Sequence, residues 1–104
     1  MTTAEENQEL MNILAETIKP NDVMNMTIQD SSALVEACVK YLRFNGVGVP
    51  TSKTEEEVLD LLIEKIANVE VCLEFLHRQL NEEYDIEDKI AGKLENLYDK
   101  YYSM

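Results

Sequence analysis

The amino-acid sequence predicts an all-α protein: a bundle of four helices with one long central helix, assembled into oligomers. Three observations predict it. Apolar residues recur at steps of three and four along most of the chain. No segment offers a strand candidate. The one clear loop is marked by Gly46, Gly48 and Pro50, two glycines and a proline within a few residues.

The first element opens at Thr3, which with Glu6 forms a capping-box pattern. Leu10, Ile13, Leu14 and Ile18 follow at helical spacing, so a helix is expected over 4–19, ended by Pro20. Residues 21–26 read as a connector. Thr27 with Asp30 is a second capping signal, and Leu34, Val35, Cys38, Tyr41 and Leu42 form one stripe, which predicts a helix over 28–44. Residues 45–52 are the loop.

Thr54 with Glu57 caps the third helix, expected over 54–81. Its apolar positions are Val58, Leu62, Ile66, Val69, Leu73, Leu76 and Leu80, with Leu61 and Ile63 widening the stripe. At 1.5 Å per residue it would be roughly 40 Å long. Glu55, Glu56 and Glu57 suit the positive end of its dipole better than a metal. A short turn is expected over 81–85. The last helix, from Ile86, runs through Ile90, Leu94, Leu97 and Tyr101. All 104 residues form one domain, with 1–27 as N-terminal helix and connector and 28–104 as its body.

A composition of 45% hydrophobic residues is too apolar for a disordered chain. A chain this short buries only part of its unfolded surface, and pairing helix faces as a homodimer or homotetramer would solve that problem. Twenty-one acidic against nine basic residues give a formal charge of -12, which repels a phosphate backbone and argues against direct nucleic-acid binding. Such a charge fits a solvated surface, a carboxylate metal site, or an acidic decoy for a nucleic-acid-binding partner. Cys38, Cys72 and the single His77 lack zinc-site spacing. The cysteines read as small core residues and His77 as a surface residue. Residues 1–9 are polar and acidic, and no apolar run approaches a bilayer span, so a reducing cytoplasm with free thiols and no membrane association is expected.

Residues 34–43 read LVEACVKYLR, residues 64–76 read EKIANVEVCLEFL, and KLENL follows at 93–97. Their order and spacing resemble compact phage-type members of the MazG-like all-α nucleoside triphosphate pyrophosphohydrolases, over roughly residues 28–97. Members carry a stretch like E-E-x-x-E-L-I-x-A-x-x-K-Y-x-R on one helix, E-E-I-A-D-V-E-I-M-L-E-Q-L on a later one, and K-L-x-R-L near the end. The resemblance implies carboxylates on two adjacent helices holding Mg²⁺, which binds the phosphates and activates water for cleavage between the α and β phosphates.

The motif residues depart from that pattern. The four expected ligand positions read Asp30, Ala33, Lys65 and Asn68, with Glu64 retained beside them and Asn96 standing where the terminal segment usually has Arg. Asp30 and Glu64 are the remaining metal candidates, and a shifted alignment would recruit Glu36, Glu57, Glu70 or Glu74. Lys40, Arg43, Lys65 and Lys93 are the candidate phosphate contacts. The leading expectation is a catalytically impaired, phage- or mobile-element-type relative that recognises a nucleotide or a protein partner. One alternative is an acidic inhibitor of a basic host defence protein. The other is an active Mg²⁺-dependent pyrophosphohydrolase with rearranged ligands.

Overall fold

A computed structural model describes residues 3–80 and 83–102. It contains four helices, α1 (Ala4–Thr17), α2 (Pro20–Phe44), α3 (Glu55–Leu80) and α4 (Glu83–Tyr102), and no strand among the described residues. None of these helices is long and apolar enough to cross a membrane. The helical expectation holds, but α2 spans 25 residues and α3 spans 26, so the centre of the fold is a pair of equally long helices.

The difference arises at Pro20. A proline lacks the backbone N–H that the first helical turn does not use, and its fixed φ suits that turn. Pro20 therefore starts α2 as well as ending what precedes it. The restriction it places on the preceding residue leaves Lys19 extended. Ile18 is extended as well, and α1 stops at Thr17. The expected connector over 21–26 is helical. Thr27 is no cap: its hydroxyl donates to the Val23 carbonyl one turn back, at 2.7 Å. Of the expected turn at 81–85, residues 81 and 82 lie outside the described residues and 83–85 are helical, in α4.

The loop between the long helices is built as its glycines require. The Val47 amide donates to the Leu42 carbonyl at 2.8 Å and the Gly46 amide to that of Arg43 at 3.1 Å. This is a Schellman closure with Gly46 at φ +87°, a conformation that costs side-chain-bearing residues energy. At the far side, Thr54 and Glu57 form the expected reciprocal box. The Thr54 amide donates to Glu57 Oε1 at 3.1 Å and the Glu57 amide to Thr54 Oγ1 at 3.2 Å.

Losing the box has a measurable consequence. Thr54→Ala should lower stability by about 1 kcal/mol in urea denaturation. The backbone and hydroxyl hydrogen bonds from Thr54 hold the Glu57 carboxyl below the ordinary glutamate value. Its contribution is therefore present above that ordinary value and lost as pH falls through the depressed one. Stability curves of the native chain and Thr54→Ala should converge on acidification, and a gap unchanged by pH would count against the box.

The hairpin of α2 and α3 holds nearly all of the tertiary packing. Val23 and Ala37 from α2 meet Val58, Cys72 and Phe75 from α3 as its fully buried residues. The stripe expected on α2 divides: Leu34 and Tyr41 turn inward, while Val35, Cys38 and Leu42 face solvent. Cys38 is thus exposed, and only Cys72 is a core cysteine.

Helix α1 packs on the C-terminal half of α3, where Leu10, Met11 and Leu14 share a groove with Val71 and Phe75. Polar contacts pin its far end. Arg78 donates to the Asn12 side chain, and the Gln79 amide donates to the Ile18 carbonyl at 2.8 Å. Helix α4 contacts only α3. Its Ile90 and Leu94 are exposed, and Tyr98 stacks on Tyr102 with ring centroids 5.3 Å apart.

Candidate functional site: the seam between α2 and α3

One hydrogen bond marks the register of the hairpin. The Cys72 thiol donates to Asp30 Oδ2 at 3.2 Å, so Asp30 on α2 lies opposite Cys72 on α3. The helices run antiparallel, which carries Ala33 toward Asn68 and Ala37 toward Lys65. The four ligand positions expected from the motifs, Asp30, Ala33, Lys65 and Asn68, are all half-buried in this seam.

Helical periodicity orders the site further. Asp30, Ala33, Ala37 and Lys40 fall at i, i+3, i+7 and i+10, a single row along α2. Glu64, Asn68, Val71 and Phe75 fall at i, i+4, i+7 and i+11, a matching row along α3. The second half of that row borders a groove shared with α1, with Phe75 buried and Val71 exposed. The first half, Glu64 and Asn68, lies beyond the residues of α1 that line that groove and beside the α2 row. Lys65 sits next to it, nearer the centre of the interface.

The electrostatics of the seam differ from a metal site. Asp30 gives one carboxylate oxygen to the Cys72 thiol. Burial, and then the hydrogen bond to Asp30, push the Cys72 thiol pKa up, so it remains the neutral donor. The Lys65 ammonium has a loose ion pair with its neighbour Glu64, at 3.7 Å. Among the described residues no group of three or more His, Cys, Asp or Glu side chains is placed to hold a metal ion. One engaged carboxylate, a methyl, an ammonium and an amide do not fit Mg²⁺, which needs several oxygen ligands. A unit positive charge beside it would be repelled. Glu64 is exposed and its nearest cation is Lys65, so the second candidate ligand does not repair the set.

The candidate phosphate contacts are only partly assembled. Lys40 and Lys65 are both half-buried on the facing helices, in the half of the hairpin near the loop. Arg43 is exposed one turn beyond Lys40. Lys93 lies on α4, beside Ile90 and Leu94, and α4 does not contact α2, so the chain's own fold does not bring it to the other three. Sequence reasoning missed Cys72 as the partner of Asp30 and Ala37 as part of the row. The i, i+3, i+7, i+10 spacing from Asp30 to Lys40 was the signal for Ala37. No sequence signal pairs residues 42 positions apart.

No family model matches this chain, and no curated protein or solved structure matches it either. The fold and the seam define it as an all-helical protein centred on a two-helix antiparallel hairpin.

Proposed function

We propose that this chain is a divergent relative of the MazG-like all-α pyrophosphohydrolases that binds a nucleoside polyphosphate and has lost efficient hydrolysis. The observation that carries the reading is the placement of Lys65. This half-buried ammonium occupies a position where the family resemblance expects a metal-binding carboxylate. Lys40 stands on the facing helix. In so acidic a chain, two half-buried lysines in one seam supply the positive charge that a phosphate requires, in place of part of the charge of a metal. Asn68 provides an amide for hydrogen bonding in the same row. The two unpaired cysteines suit a reducing cytoplasm.

Calorimetry with a panel of nucleoside triphosphates, with and without Mg²⁺, tests this. Binding should occur without the metal and weaken at least about tenfold in Lys65→Gln or Lys40→Gln, the loss of one charge-assisted contact. A parallel pyrophosphate-release assay should show little turnover. Silence across the whole panel, or robust Mg²⁺-dependent release, would sink the reading.

A second reading has its own observation. The described acids other than Asp30 are exposed, and only Glu64 and Glu74 form ion pairs among the described residues. A surface of that kind fits a basic protein partner. One partner released by moderate salt, together with silent nucleotide titrations, would favour it.

A further inference from the structure

Helix α1 meets the hairpin through a pivot and a thin contact. Ile18 and Lys19 are extended, at ψ 129° and 147°, between two helices. Pro20 has no N–H to carry the hydrogen bonds of α1 on into α2. Among the described residues α1 packs on α3 alone. None of its residues is fully buried: Met11 and Ala15 are half-buried, while Leu10, Ile13 and Leu14 are exposed. At 14 residues α1 has a length at which an isolated helix is marginal in water, so its helicity depends on docking.

The charges on the two sides oppose that docking. Helix α1 has four glutamates and no basic residue. Glu5, Glu9, Asn12 and Glu16 fall at i, i+4, i+7 and i+11, in one row. On α3, Glu70, Glu74 and Arg78 follow one another at steps of four. Arg78 joins the two rows. Its Nε donates to Glu74 Oε1 at 2.9 Å, and a terminal guanidinium nitrogen donates to the Asn12 side-chain oxygen. Glu9 and Glu16 each lie one turn from Asn12, so this guanidinium stands between acids of both helices. Without it the rows would repel.

The C-terminal end of α1 is held at a cost. Its last turn has no basic residue to meet the free carbonyls. The Gln79 amide takes that place, donating to the Ile18 carbonyl at 2.8 Å and to that of Ala15 at 3.5 Å. In this position Gln79 Oε1 is buried with no protein partner, a penalty that undocking removes.

We propose that α1 is a strap, hinged at Ile18 and Lys19, that swings off α3 as one unit while the hairpin stays folded, and that Arg78 is its latch. Opening uncovers the groove that Leu10, Met11 and Leu14 share with Val71 and Phe75, and so extends the accessible part of the α3 row past Asn68. The fully buried residues meet across α2 and α3, which lets the hairpin outlast the opening. The proposal does not rest on nucleotide binding.

Hydrogen exchange read by mass spectrometry tests this. In the native chain the α1 amides should exchange about a hundredfold faster than those around Val23 and Cys72. Arg78→Gln should speed α1 exchange by about tenfold or more, the loss of a charge-assisted contact, and leave the amides around Asp30 and Cys72 unchanged. In that variant added salt should slow α1 exchange severalfold, because it screens the facing acids. Glu9→Gln with Glu16→Gln should recover most of the loss. Arg43→Gln makes the same charge change at the other end of the hairpin and should leave α1 as it was. The native measurement needs no variant: α1 amides that exchange only together with the hairpin would overturn the proposal. So would α1 exchange in Arg78→Gln equal to the native rate, or a loss that neither salt nor the removal of the α1 acids relieves.

Discussion

Phe75→Ala is expected to cost about 3–5 kcal/mol, the loss for truncating a large buried aromatic side chain. Phe75 is 2% exposed and is the largest of the fully buried side chains. It lies where three helices meet, in the α3 row opposite α2 and under Leu10, Met11 and Leu14 of α1. The cavity would remove contacts from both neighbours at once. With so few fully buried residues in the chain, the rest of the core can do little to compensate. Domains have about 5–15 kcal/mol of net stability, so the variant should sit near its unfolding transition at room temperature. Phe44→Ala, 38% exposed at the end of α2, is the matched control and should cost about 1 kcal/mol. Urea denaturation at one fixed protein concentration compares the two. If Phe75→Ala proves no costlier than Phe44→Ala, the hairpin is not the stabilising unit.

Placing carboxylates in the seam should produce a large effect of a different kind. The variant Ala33→Glu, Lys65→Glu, Asn68→Asp places three new acids in the rows that already contain Asp30 and Glu64. Without metal, like charges in a half-buried seam should repel and destabilise the fold by about 1–3 kcal/mol. Added Mg²⁺ should restore that loss and raise the melting temperature by several degrees, because a cation that binds only the folded state stabilises it by mass action. The native chain should show no such response, since Asp30 is hydrogen-bonded to Cys72 and Glu64 is exposed and paired with Lys65. Melting curves in Mg²⁺ and in chelator measure both parts. A variant that melts identically in the two solutions would mean that these positions do not face a shared space, and would count against the proposed relationship to the pyrophosphohydrolases.

The two experiments separate two properties of one interface. Phe75 reports on packing that any helical hairpin needs. The acid variant reports on whether the register marked by Asp30 and Cys72 has the geometry of a metal site. Either result stands without the other, because Phe75 lies two turns beyond Asn68 along the α3 row, under α1.

Much of the local structure was legible in the residues. The Thr54–Glu57 box, the Gly46 closure and the span of α3 follow from short-range chemistry: a side-chain oxygen meets an amide three residues away, or a glycine takes a left-handed φ. Pro20 was ambiguous for the same local reason. A proline ends one helix and starts another with equal ease, and only the burial of Val23 against α3 shows that α2 begins there.

What the sequence determined by itself was the helical period, the caps at Thr3 and Thr54, and the loop. The tertiary structure decided which of two adjacent rows on α2 meets α3. Both rows have the same 4-3 spacing, and periodicity cannot choose between faces that differ by one residue. The structure also decided that Cys72, and no cation, is the partner of Asp30. Such pairings depend on how two helices slide and rotate against each other, a choice made by the sum of contacts along the whole hairpin rather than by any local pattern.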